Sequence, residues 1–204
     1  NIHVSHSYII ARLKYLSMPY PKYLFYIIAL GLIISCNRSQ EQYNPELDPN
    51  AEIHRLQDTT VDQSGWYYAK STQGNFSVLM PIPFNDYTVK VNDYESFYIT
   101  GESDEGVTFT VLQAENLKDA PVNLHQLISK LDKPTTPVSQ VAHYSQNNYT
   151  AVSFHQTSFR TAAFGKYALH GNSMYTLMIQ FPFANEDLVK SIKDSFFDYL
   201  VIED

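Results

Sequence analysis

One thiol, seven imidazoles and a short acidic cluster hold most of the conventional chemistry in this 204-residue chain. Cys36 is the only cysteine, so neither an intrachain disulfide nor a thiolate metal cluster can form. The histidines after it are His54, His125, His143, His155 and His170, and no two have the spacing of a helical metal-binding pair. His143, His155 and His170 fall on strand-like segments, where pairing could bring them together, although a surface or satisfied core histidine is the simpler reading of each. No G-x-S-x-G elbow and no glycine-rich phosphate loop is present. Gly101-Glu102-Ser103-Asp104-Glu105-Gly106 gathers three carboxylates. Calcium uses such oxygens, but the spacing is not that of an EF-hand, and a hairpin tip reads the same way. Tyr67, Tyr68, Tyr87, Tyr94, Tyr98, Tyr144 and Tyr149 offer a stacking surface for glycan or peptide if they are exposed, and strand packing if they are not.

Cys36 is set apart by what precedes it. Tyr23–Ser35 is a 13-residue apolar run with Lys22 before it. A bilayer core needs roughly 20 helical residues, so the run fits the apolar region of a signal peptide better than a membrane span. Ile33-Ile34-Ser35-Cys36 resembles the lipobox of bacterial lipoproteins. The resemblance implies a thiol carrying diacylglycerol, cleavage before Cys36 and an acylated new amino terminus. Met18 is then the expected start, with residues 1–17 upstream. Asn37 is not the aspartate that retains enterobacterial lipoproteins at the inner membrane, so the resemblance implies an outer-membrane address where such a membrane exists. An uncleaved anchor with Cys36 as a free thiol is the alternative. Both place the domain outside the cytoplasm, held at a membrane in the cell envelope.

Removing residues 1–35 takes away three of the 14 basic residues and none of the 21 acidic ones, moving the formal net charge from −7 to −10. Nucleic-acid binding needs a basic footprint, and this chain has none. The lipid on Cys36 is therefore the expected membrane contact, and an envelope protein is a possible partner. Residues 36–64 are polar and acidic with scattered aliphatics, and they read as a flexible tether. Residues 65–204 read as one domain.

Within that domain, short period-two segments predict strands over Trp66–Ser71, Asn75–Met80, Tyr87–Val91, Tyr94–Thr100 and Gly106–Gln113. Four more follow at Val138–His143, Tyr149–Gln156, Arg160–Leu169 and Ser173–Phe181. His170-Gly171-Asn172 marks a tight turn. Leu124, Leu127, Ile128 and Leu131 form the stripe of a helix capped by Asn123. Leu188, Val189, Ile192, Phe196 and Tyr199 form a second stripe, with Asn185 as the expected N-cap and Glu186 and Asp187 suited to the positive helix end. Runs of strands with two inserted helices indicate an α+β fold.

Gly74-Asn75-Phe76-Ser77-Val78-Leu79-Met80-Pro81 and the closing set Met174–Ile179, Asn185-Glu186-Asp187 and Ser195-Phe196-Phe197 resemble the PsbP-like/DcrB-like superfamily. The resemblance spans roughly Gly74 to Leu200. It implies a central antiparallel sheet flanked by helices, and no enzyme, cofactor or catalytic set. The expected function is a lipid-anchored, non-enzymatic binding or assembly module. The rival is an envelope hydrolase whose site is assembled from distant residues, and it needs His143, His155 or His170 to meet a carboxylate or hydroxyl.

Overall fold

The computed structural model describes residues 44–61, 65–91, 94–115, 123–146 and 148–203. Cys36 and the whole of 1–35 lie outside them, as do residues 37–43 and 62–64 of the proposed tether. In chain order the strands are β1 (Ala51–Asp58), β2 (Tyr67–Lys70), β3 (Phe76–Met80), β4 (Phe84–Val91), β5 (Tyr94–Glu102) and β6 (Thr108–Ala114). Helix α1 (Leu124–Leu131) follows, then β7 (Val138–Gln146), β8 (Tyr149–Thr157), β9 (Thr161–His170) and β10 (Ser173–Pro182). Helix α2 (Glu186–Asp198) and β11 (Val201–Ile202) close the fold.

Eight strands form one sheet in the order β1-β4-β5-β6-β10-β9-β8-β7, every neighbouring pair antiparallel. A second sheet, β11-β3-β2, is also antiparallel. The architecture is α+β, with helices packed on an antiparallel sheet. β10 lies in the middle and is buried along most of its length, because both its faces are covered. Tyr175, Leu177, Ile179 and Phe181 meet Phe196 and Val189 of α2 and Phe76, Val78 and Met80 of the small sheet. Met174 and Met178 point the other way, to Leu127, Ile128 and Leu131 of α1. Across β8 and β9, Gly165 makes room for a ring. A Cβ there would lie 2.3 Å from Phe154 Cζ. Gly171, at φ +56°, turns the β9–β10 hairpin where the sequence placed it.

Three expectations change. Ala51–Asp58, read as tether, is the edge strand β1, paired with β4 from Ala51↔Val89 to Asp58↔Phe84. Its aliphatics are sparse, but a strand at an edge needs little apolar surface when polar contacts fix it. Arg55 binds Asp86 at 2.8 Å and Asp58 at 3.0 Å, and Asp86 is 1% exposed. In α2, Leu188 and Tyr199 are each 53% exposed, while Phe197 is buried beside Phe196 and Val189. The buried stripe is rotated from the predicted one because Phe197 and Leu200 close the helix end against the sheet. Asn185 makes no side-chain cap bond; its amide donates instead to the Glu105 carbonyl at 2.9 Å. Asn123 does cap α1, accepting from the N–H groups of His125 and Gln126.

Candidate functional site

His143, His155 and His170 do not meet. His143 on β7 stacks on His125 of α1, ring centroids 3.9 Å apart. His155 on β8 stacks on Phe164 and is nearly buried, its Nε2 without a hydrogen bond and its pKa held below the ordinary value by burial. His170 Nδ1 lies 2.9 Å from the Asn148 carbonyl. His54 Nε2 does meet a hydroxyl, Thr88 Oγ1 at 2.9 Å, but Thr88 is 1% exposed and closed to a substrate. Among the described residues no group of three or more His, Cys, Asp or Glu side chains converges. The seven tyrosines do not make a common exposed surface either. Tyr87 and Tyr98 are buried and stacked at 5.1 Å, and Tyr149 is buried.

A groove opens between α2 and the β7–β8 hairpin. It encloses about 270 Å³ and is lined by Tyr144, Phe164 and Phe197 among the aromatics and by Gln140, Ser153 and Asp198 among the polar groups. The alternation of strands makes it. Register pairs Tyr144 with Ala151 and Ser153 with Lys166, so these residues share the sheet face that α2 covers. α2 lies over β10 and β9; on β8 Tyr149 and Ala151 are buried, while Ser153 and the edge strand β7 stay partly open. Gln140 sits at a register shift in β7 with φ +52°, a conformation uncommon outside glycine and asparagine. On the α2 side Lys193 pairs with Asp194, and its ammonium lies 5.7 Å from the Phe164 ring.

Lys166 lies behind the groove wall and was not singled out by sequence reasoning. It is fully buried at 0% exposure on β9. Its Nζ donates to the Tyr149 hydroxyl and the Phe197 carbonyl, each at 2.8 Å, and at 3.4 Å to Gln146 Oε1. Tyr149 in turn donates to Gln146 Oε1 at 2.9 Å. The Tyr144 and Tyr149 rings stand 5.6 and 4.9 Å from the ammonium. Burial disfavours the charged form and pushes the Lys166 pKa down to about 8, with Asp198 opposing from a distance. Burial also raises Tyr144 and Tyr149 to about 12, so both hydroxyls keep their protons. A buried lysine held by neutral oxygens is expensive in isolation. Here it satisfies a carbonyl in the last turn of α2, which has no basic residue of its own. The signal in sequence was a lysine in the middle of the apolar run Ala162–Leu169, an interruption that strand alternation alone does not explain.

The groove can hold a side chain or a small head group. Its aromatic walls favour an apolar or cationic body, and Ser153, Gln140 and Asp198 offer polar contacts.

No family model matches this chain, and no curated protein matches it. Among solved structures it is similar to the solution structure of cyanobacterial PsbP (CyanoP) from Synechocystis sp. PCC 6803, with a TM-score of 0.49 and 9% identity over 67% of this chain and 92% of that one.

Proposed function

We propose that this chain is a binding or assembly module held at the cell envelope by lipid on Cys36, and that the groove between α2 and the β7–β8 hairpin receives part of its partner. The groove carries the binding half of this reading. It is open and aromatic-walled, and it is built from two elements that the Lys166 network fixes to each other. At about 270 Å³ it suits one or two inserted side chains rather than a nucleotide or a long acyl chain. Ile33-Ile34-Ser35-Cys36 after a 13-residue apolar run carries the anchoring half. Two or more acyl chains on one residue hold a protein stably to a bilayer, where a single chain holds it marginally.

Affinity capture of the full chain from envelope extracts, repeated with Tyr144→Ala, tests the groove. A partner captured by the wild type and lost with Tyr144→Ala is the expected result. Equal capture by both places binding elsewhere. Fatty-acid-analogue labelling tests the anchor. Cys36→Ala should abolish labelling and leave the precursor unprocessed, and unchanged labelling removes the lipoprotein reading.

A further inference from the structure

Between residues 44 and 60, where the chain leads into the domain, only Pro45 is buried. β1 lies in that stretch, and among the described residues β4 is its one strand partner. The ladder shifts between Ile53 and Arg55 and again between Arg55 and Asp58, and Gln57 is held at φ +49°. Ile53 reaches the buried cluster of Tyr87, Tyr98 and Leu112 but is only partly buried itself, and Leu56 is exposed. The strand beneath does not depend on β1. β4 pairs with β5 at every residue from Asn85 to Val91, and β5 pairs with β6 in turn. Segments with few buried apolar contacts are those that open locally while the rest stays folded.

Polar contacts hold β1 in place, and Arg55 collects them. Its guanidinium pairs with Asp58 on β1 at 3.0 Å and with Asp86 on β4 at 2.8 Å, and it donates to the Lys70 carbonyl on β2. It also stands 5.0 Å from the Phe84 ring. His54 and Gln57 add lesser contacts to Thr88 and Asn85 of β4. Asp86 is the buried half of the latch. Its Oδ2 also accepts from the N–H and hydroxyl of Thr72, while its Oδ1 has no hydrogen bond. We infer that β1 is a releasable strap latched by Arg55, and that residues 51–58 leave β4 together while the other strands stay folded. Withdrawal of Arg55 uncovers Asp86 to water, and hydration of both carboxylate oxygens offsets the lost ion pair. Release stops at Thr60, whose carbonyl accepts from the Tyr68 N–H at 2.8 Å. Chain order gives the release its use. Cys36 precedes β1, so a domain anchored there is held through the strap, and a pull peels β1 from β4 beginning at Ala51. The eight freed residues, at about 3.3 Å each, add roughly 26 Å of reach. The reach rests on the anchoring reading; the release does not.

Hydrogen exchange of the full chain in detergent micelles, read residue by residue by NMR, tests the release. The β1 amides bonded to β4 should exchange about tenfold or more faster than those of β5, β6 and β10. Low urea should leave their rate unchanged, because so small an opening exposes little surface. Arg55→Ala should speed the β1 amides by about a further tenfold or more and leave β5, β6 and β10 as in the wild type. Glu52→Ala, on β1 but outside the latch, should alter neither set. Wild-type β1 amides that exchange in step with β10 overturn the inference. So does an Arg55→Ala variant whose β1 rates are unchanged. Arg55→Ala that speeds every strand alike overturns it too, since Arg55 then holds the whole fold rather than the strap. The measurement needs no lipid on Cys36, so failure of the anchor leaves its result standing.

Discussion

The two faces of the β8–β10 half of the sheet are finished differently. On one, α1 lays Leu127, Ile128 and Leu131 on Val152, Phe154, Tyr167, Met174 and Met178. On the other, α2 covers an apolar floor that reaches Ala151 of β8, and beside it lie Lys166, two tyrosines and an open groove. The short α1 closes its end with a neutral buried donor, Gln156 Nε2 to the Leu131 carbonyl at 3.2 Å. The longer α2 must also dispose of its carboxy-terminal carbonyls, and a buried lysine from the sheet supplies the donor. Polar chemistry thus enters this fold where a helix end meets a strand face, and the groove lies beside that junction.

The largest test of this contrast is Phe196→Ala. Phe196 is completely buried and packs edge-on against Phe109 at 5.4 Å. Truncation should cost about 3–5 kcal/mol, read as a large drop in the urea midpoint. That is a large share of a typical domain stability of about 5–15 kcal/mol. Lys193→Ala, off the buried stripe, should change stability by about 0.5 kcal/mol or less. Equal effects would mean that the assigned face of α2 is wrong.

Next in size is the pH response of Lys166. Its folded pKa lies below that of the unfolded chain, so between about pH 8 and pH 10 the unfolded state binds more protons. Stability should therefore rise with pH through that window, because the penalty for burying the ammonium is complete below it. Above pH 10 the tyrosines reverse the trend, since Tyr144, Tyr149 and Tyr98 hold their protons to about 12 when folded. Urea midpoints at pH 7.5 and 9.5 should differ in wild type, and Lys166→Met should flatten the difference. A slope unchanged in the variant would show that another group sets it.

The smallest effect separates the two helix starts. Asn123→Ala removes a cap that accepts two N–H groups and should cost about 1 kcal/mol. Asn185→Ala removes no cap bond from α2, only an exposed contact to the Glu105 carbonyl, and should cost less than half as much by the same urea measurement. Equal losses would show that capping does not distinguish the two.

Much of the strand pattern was legible before any coordinates. Val107, Phe109 and Val111, and Tyr175, Leu177, Ile179 and Phe181, occupy the same buried faces that period-two alternation predicts, because side-chain direction in a strand is a local property. The α1 stripe and its Asn123 cap are local for the same reason. β1 was missed because its stability is not local. Eight residues with few aliphatics become a strand only when Asp86, 31 residues after Arg55, accepts its guanidinium.

The groove follows the same division. Sequence determined that Ser153 and Phe164 lie on strands, and that Lys166 interrupts an apolar run; Tyr144 fell one residue past the strand it predicted. Only the tertiary structure decided that Lys166 reaches the Phe197 carbonyl, 31 positions on, and that α2 stops short of β7. Alternation and helical period depend on neighbours along the chain. Where a helix comes to rest on a sheet depends on the summed fit of residues far apart in sequence, and that placement creates the groove.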